Sequence, residues 1–264
     1  KITHFGAVEA LLQALVDDPQ FAKTDLSSLR GVTTGGAPCV PRAMRPFADR
    51  GICVIQSYGM TEAGPSNFTI PALDLSVEQA WRYHKSIGKP MFHCDYQIID
   101  QDSGKLVAPG EVGVLCLRSP HSFDGYLAEP ERTAQTFIDD SWIYSGDLAR
   151  EDEDGFVYLV GRADNMFISG GENIYPEEVE EVLGQHAGVE QVVVLGVNDP
   201  RWGQAPMALV VPRAGAQLTE GTLFGYCEDH LARYKMPRRI LVREQLPMTG
   251  AGKIDRKALK EQYP

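Results

Sequence analysis

The chain has 264 residues, and 25 Lys and Arg stand against 36 Asp and Glu, a formal net charge of −11. At 43% hydrophobic and 23% charged it fits one large or two smaller globular domains, which excludes a disordered tail, a collagen-like fibre and a membrane bundle. So acidic a chain has no bulk attraction for phosphate backbones, and nucleic acid is a poor partner; local basic patches can still meet a small anion.

The opening, KITHFGAVEALLQALVDD, lacks a signal-peptide pattern and is expected to begin inside folded structure. Val8, Leu11, Leu12, Leu15 and Val16 recur at i, i+3, i+4, i+7 and i+8, one face of an amphipathic helix that ends near residues 17–19. LRGVTTGG (29–36) reads as a β-branched strand, 41–50 as a helix with Pro41 in its first turn, and ICVIQSYG (52–59) as a second strand. Strand, helix, strand at this spacing predicts a parallel sheet, whose ligands gather at the carboxyl ends of the strands. Both strands end in Gly-rich polar segments, TTGGAP and QSYGMTEAG. Residues 85–160 change to short strands broken by DSG and PGEVG turns, a meander or small barrel, with EDED (151–154) as a solvated hairpin. From about 165 a helix opens at Tyr175-Pro176-Glu177-Glu178, with Val179, Val182, Leu183 and a packed His186 on its apolar face. Strands over 191–197, 207–212 and 238–244 and helices over 222–231 and 255–262 complete an α+β unit. No apolar run approaches the length of a transmembrane helix. The five cysteines, Cys39, Cys53, Cys94, Cys116 and Cys227, show no CxxC spacing. That argues for buried thiols in a reducing, cytoplasmic setting rather than for disulfides or zinc.

Four segments can carry chemistry. TTGGAP offers bare backbone to a flat or anionic ligand, though a simple turn accounts for it equally well. QSYGMTEAG places Tyr58, Thr61 and Glu62 together: a ring to stack on a purine, a hydroxyl for a phosphate and a carboxylate for Mg²⁺. A loop with a helix-capping Thr accounts for the same letters. YSGDLA sets Asp147 after a short strand, where a carboxylate can accept both hydroxyls of a ribose. PMTGAGKIDRKAL holds Lys253 in a Gly-rich loop that is not a P-loop, because Pro247 stands at the first Gly position and Ile254 follows the lysine. A mobile Lys there can deliver a point charge to a phosphate or carboxylate.

In order and wording these segments, with the block YSGDLAREDEDGFVYLVGRADNMFISGGENIYPEEVEEVL, resemble the adenylate-forming superfamily of acyl- and aryl-CoA ligases, peptide-synthetase adenylation domains and luciferases. The resemblance implies ATP- and Mg²⁺-dependent activation of a small-molecule carboxylic acid, fatty or aromatic, to an acyl-adenylate, and then thioester formation with CoA. It implies that Gly35, Gly36 and Ala37 line the adenine and acyl side, that Tyr58 stacks on the adenine with Gly59 also in the nucleotide site, and that Thr61 meets the α-phosphate. It makes Glu62 the Mg²⁺ ligand, Asp147 the holder of the ribose with Arg162 beside it, and Asp164 the hinge. Lys253 becomes the lysine bridging carboxylate and phosphate. Gly170, Gly171 and Trp202 belong by resemblance to the CoA tunnel, with Lys235, Arg238 and Arg239 as a basic cluster for CoA phosphates; a solvated strand edge accounts for that cluster as well.

The implied architecture is α/β and α+β. Residues 1–163 form the rear of a large AMP-binding domain, a partial parallel-sheet subdomain (1–84) plus a small β-barrel-like subdomain (85–163). Residues 164–264 form a small, mobile C-terminal domain. The family's Ser/Thr/Gly-rich phosphate loop is not found in 1–264, so the expectation is the C-terminal part of a longer ligase, with little activity by itself. A domain that loads a carrier protein and a non-catalytic nucleotide-binding module are the competing readings. Oligomeric state stays open, a homo-oligomer included.

Overall fold

The structure, a computed structural model, describes residues 1–36, 40–72, 74–139, 141–250 and 253–264. It divides into two compact units, Lys1–Leu159 and Val160–Pro264.

The first unit begins with β1 (His4–Gly6), α1 (Glu9–Asp17), β2 (Gly31–Gly35), α2 (Pro41–Ala48) and β3 (Cys53–Met60). β1, β2 and β3 pair in parallel, as the strand–helix–strand spacing predicts. β1 is too short to announce itself and exists through its pairing with β2. The sheet then changes sense. β4 (Gly64–Thr69) and β5 (Lys89–Pro90) add antiparallel strands, because the three residues between β3 and β4 can close a hairpin but cannot make a crossover. α3 (Val77–Arg82) lies between β4 and β5 in sequence and opens on a capping box at Ser76 and Gln79. The α1 stripe divides. Leu12 is fully buried with Val32, Met44, Phe47 and Val54, and Val16 packs against them, whereas Val8, Leu11 and Leu15 stay exposed.

A second sheet follows in the order β10 (Val157–Arg162), β9 (Trp142–Glu151), β7 (Gly113–Arg118), β6 (Asp95–Ile99), with β8 (Phe137–Ile138) also on β9, and the pairs β6–β7, β7–β9 and β8–β9 are antiparallel. It is the half-barrel expected from the turn-broken meander. α4 (Pro130–Thr136) precedes β8. Phe68 of the first sheet is fully buried against Leu115, Leu117, Ile143 and Val157 of the second, so one core holds both sheets.

The second unit holds β11 (Phe167–Ser169), β12 (Glu172–Ile174), α5 (Pro176–Gly184), β13 (Val189–Asp199), β14 (Gly203–Pro212), α6 (Glu220–His230), β15 (Arg239–Val242) and α7 (Arg256–Gln262). Its sheet runs β12-β11-β14-β13, with β15 parallel to β14. Both faces are covered. Val194, Ala208 and Val210 pack with α5 and α6 residues, while Val193, Leu195 and Met207 pack with Leu259 of α7. Double coverage is why QVVVLGV reads as a continuous apolar run rather than an alternation. His186 lies beyond the end of α5, half-buried against the Tyr226 ring. Among the described residues no helix is long and apolar enough to cross a membrane.

Cys53, Cys94, Cys116 and Cys227 are free and buried, and burial raises each thiol, Cys116 to about 12 and Cys227 to about 11. With Cys39→Ser in place, a disulfide reagent should find essentially no reactive thiol in the native chain near neutral pH and all four after denaturation. At the β3–β4 hairpin a Cβ on Gly59 would lie 2.4 Å from the Pro65 carbonyl carbon and 2.5 Å from its oxygen. Gly59→Ala should therefore destabilise the first unit by about 1–3 kcal/mol in urea denaturation, as overpacking does.

Candidate functional site

The end of β3 carries two of the predicted nucleotide residues, Tyr58 and Gly59, with Thr61 and Glu62 just beyond it. Successive side chains along a strand alternate, so Ser57 and Gly59 border a groove while Tyr58 turns into the protein. The groove, about 910 Å³, has a floor of small residues from two strand ends, including Thr33, Gly35, Gly36, Ser57 and Gly59. Its rim is Val8, the N-cap of α1, and Leu11 of α1 together with Met60 and Pro65. Two of the three exposed stripe residues, Val8 and Leu11, are thereby explained: they wall a groove instead of filling the core, whereas Leu15 is exposed outside it. Thr61 also lines the groove. Gly35 lies tight against β3, with only 2.7 Å between a built Cβ and the Ser57 carbonyl oxygen. Ala37 lies outside the described residues.

Tyr58 packs edge-on to Phe68, with ring centroids 6.2 Å apart, and its hydroxyl donates to Asp147 Oδ2 at 2.6 Å. Asp147 reaches that position through an irregularity in β9. Tyr144 pairs with Cys116 and Leu148 with Val114, so residues 145–147 stand opposite Leu115 alone. Gly146 takes φ 71°, and the buried Ser145 hydroxyl bridges the gap, accepting from the Asp147 N–H at 3.0 Å and donating to the Leu115 carbonyl at 2.6 Å. Such bulges re-aim a side chain next to a site. The letters SGD in YSGDLA are the serine, the glycine and the aimed carboxylate of that bulge.

Glu62 follows in the β3–β4 turn. The Phe123 N–H donates to its carbonyl at 2.8 Å, and the Tyr126 hydroxyl donates to its carboxylate oxygen Oε1. That bond, with the Glu62 charge and some burial, raises the pKa of the Tyr126 phenol and keeps its proton in place. Sequence reasoning passed over Tyr126. The available signal was FDGYL, two aromatics around a glycine in an otherwise polar stretch. The donors fit Mg²⁺: Glu62 offers a hard carboxylate, Thr61 a hydroxyl, and among the described residues no cluster of three or more His, Cys, Asp or Glu forms a closed protein cage. Mg²⁺ commonly takes one or two carboxylates and completes its shell with water and substrate phosphates.

In the second unit Arg162 and Asp164 flank a tight turn, with an exposed ion pair at 3.7 Å. Exposed pairs of this kind contribute little. Lys260 Nζ donates to the Asp164 carbonyl at 3.0 Å. Gly170 and Gly171, at φ 61° and 91°, close the β11–β12 hairpin. A Cβ on Gly170 would stand 2.6 Å from the Trp202 ring, and its N–H donates to the Trp202 carbonyl at 2.9 Å. Trp202 is set on the β13–β14 turn by Asp199, whose carboxylate accepts from the N–H groups of Arg201 and Trp202. The Arg201 and Arg238 guanidinium groups stand 4.6 and 5.5 Å from its ring centre. The predicted basic cluster thus divides. Arg238 joins Trp202, Arg239 is exposed on β15, and Lys235 pairs with Glu178 at 2.6 Å. Burial lowers the Lys235 ammonium, but the hydrogen bond and charge of Glu178 outweigh it and take the pKa up.

Lys253 stands at the foot of a small hairpin rather than on a loose loop. Met248 bridges Ile254, the Thr249 N–H donates to the Lys253 carbonyl at 2.7 Å, and the Lys253 N–H donates to Thr249 Oγ1 at 3.2 Å. Just beyond, Arg256 is moored by Glu180 at 2.5 Å and by the Val194 carbonyl at 3.1 Å. The Lys253 side chain itself is exposed.

Comparison with known proteins supplies the family. The AMP-binding enzyme family matches residues 1–127, and its C-terminal domain family matches residues 178–253. A feruloyl-CoA synthase from an Amycolatopsis species is 39% identical over 254 residues, 96% of this chain and 50% of that protein. A 2-succinylbenzoate–CoA ligase from Geobacillus kaustophilus is 38% identical over 263 residues, 100% of this chain and 52% of that protein. The o-succinylbenzoate CoA synthetase of Bacillus subtilis is similar in structure, both with its acyl-adenylate intermediate bound (33% identity, TM-score 0.86, covering 98% of this chain and 51% of that one) and with ATP and a magnesium ion (33%, 0.85, 98% and 51%). The chain spans about half the length of the curated relatives it matches. On these matches and this fold, the chain belongs to the AMP-binding family of adenylate-forming enzymes.

Proposed function

We propose that these residues furnish one wall of the adenylate site and the lysine-bearing domain of an ATP-dependent acid–CoA ligase. The observation that carries the reading is the 2.6 Å bond between Tyr58 and Asp147, 89 positions apart, which brings an aromatic ring and a carboxylate to one strand end beside a glycine-floored groove. In this reading Tyr58 and Gly59 border the adenine, Asp147 and Arg162 hold the ribose, and Gly35, Gly36 and Ala37 line the adenine and acyl side. Thr61 meets the α-phosphate, and Val8 and Leu11 face the acyl group. Glu62 would hold Mg²⁺ together with the ATP phosphates, and the bound ion would offset the negative charge that grows on the leaving pyrophosphate. Lys253 supports the same charge by offering its ammonium between the acid's carboxylate and the α-phosphate, where fixed cations are most effective. The second unit, taken as residues 164–264, turns about Asp164 between the two half-reactions. The Gly170–Trp202–Arg238 group then takes CoA.

CoA is favoured over a carrier protein by the two guanidinium groups on Trp202, which suit a ring stacked near phosphates. Free, buried thiols suit a reducing cytoplasm. The acid is fatty or aromatic.

The protein expressed from its complete gene should release pyrophosphate and AMP from ATP, and form a thioester, when given CoA and a panel of aromatic and fatty acids. Nucleotide binding without turnover across that panel would leave a non-catalytic module. Thioester formed only on a phosphopantetheine carrier would replace CoA as acceptor. The 264 residues alone should give little or no acyl-CoA. In the active protein Lys253→Ala should lower adenylation by about 10²–10³-fold while largely sparing thioester formation from supplied acyl-adenylate; equal losses in both steps would refute the selective role. Asp164→Pro fixes φ at the hinge and should slow thioester formation with adenylation nearly intact.

A further inference from the structure

The turn that bears Glu62 is held from three sides. Buried Asn67 donates through Nδ2 to the Ala63 carbonyl at 2.9 Å. The Phe123 N–H takes the Glu62 carbonyl, and the Tyr126 hydroxyl takes Oε1 of the Glu62 side chain. The first two bonds fix the backbone of the turn. Only the third reaches the carboxylate, and it comes from a segment 64 residues further along the chain.

Tyr126 is itself braced. Its N–H donates to Thr133 Oγ1 at 2.9 Å, which ties it to α4. The Phe123 ring meets its edge, with centroids 5.0 Å apart. The Arg132 guanidinium lies 3.8 Å from the ring centre and is itself held by Glu129 at 3.1 Å. A cation over a phenol ring draws electron density from it, so the hydroxyl becomes a better donor. The brace and the bond therefore act in one direction, toward the carboxylate.

We infer that Tyr126 is the positioning residue for the Glu62 carboxylate, occupying Oε1 and fixing the orientation in which the carboxylate meets a divalent cation carried by a nucleotide polyphosphate. The inference rests on the reading of Glu62 given above. A freely rotating glutamate in a partly exposed turn must lose side-chain freedom on ligation. A carboxylate already held by a braced donor has lost it on folding, and outer-sphere bonds of this type commonly change metal affinity by about 10–100-fold.

The test is the Mn²⁺ dependence of ATP binding, measured by equilibrium dialysis without any carboxylic acid, on the protein expressed from its complete gene. Mn²⁺-free AMP binding serves as the control. Tyr126→Phe keeps the ring and removes one hydroxyl. It should cut the Mn²⁺-induced gain in ATP affinity about tenfold and leave AMP affinity unchanged. Glu62→Gln should abolish the gain, and adding Tyr126→Phe to it should cost nothing more, because the hydroxyl acts through that carboxylate. If Glu62→Gln removes the gain but Tyr126→Phe leaves it at the wild-type level, the inference falls and the reading of Glu62 stands. If Glu62→Gln itself leaves the gain intact, both fall. Equal losses of AMP and Mn²⁺–ATP affinity in Tyr126→Phe would mark a structural tie and overturn the inference. Should that variant fail to fold, Arg132→Gln probes the brace with the phenol kept; a smaller gain supports the inference and a wild-type gain overturns it.

Discussion

The first unit depends on the hydrogen bond from Tyr58 to Asp147, which joins the end of one sheet to a bulge in the other. The two partners reach it in different ways. Tyr58 turns away from the groove because a strand alternates, and Asp147 reaches Tyr58 because β9 carries three residues opposite Leu115. Beneath them Phe68 is fully buried between the sheets, so the polar link sits over an apolar joint. The joint fixes the distance between the sheets, and the bond fixes the register of the site. A phenol donating to a carboxylate is also strong for its size, because the acceptor is charged.

Much of this was legible in the sequence, and the reasons differ by element. β2, α2 and β3 follow from apolar runs, a proline in a first turn and the spacing of a parallel sheet. The second unit's strands follow from runs too apolar for a one-sided sheet, which the two covering layers explain. The antiparallel return through β4 was not legible. GPSNFT has no apolar alternation strong enough to announce a strand, and it forms because three residues after β3 allow only a hairpin. β1 depends wholly on its neighbour. Tyr58, Glu62 and Asp147 stood out as residue types, but their pairings did not. That Tyr58 would meet Asp147, and Tyr126 would meet Glu62, depends on separations of 89 and 64 residues, which only the tertiary fold closes.

The α1 helix makes the same point from the apolar side. Its five-residue stripe reads as a single buried face. The structure spends Leu12 and Val16 on the core and turns Val8 and Leu11 to the groove. An apolar residue exposed on a helix is thus not a defect of packing when a ligand-sized groove runs beside it. It also separates two tasks: the helix shapes the groove's rim, and the turn after β3 carries Glu62, which does not line it.

The moored foot of the Lys253 hairpin bears on how the protein responds to ionic strength. Glu180 and Arg256 keep only 15% and 24% of their side-chain surface exposed, whereas Arg162 and Asp164 keep 45% and 86%. Mobile ions screen exposed charges far more than sheltered ones. Added salt therefore screens the exposed Arg162–Asp164 pair while the root of the hairpin stays tied. Surface pairs and hairpin root respond to different concentrations of the same salt, so the exposed pair loosens before the lysine loses its footing.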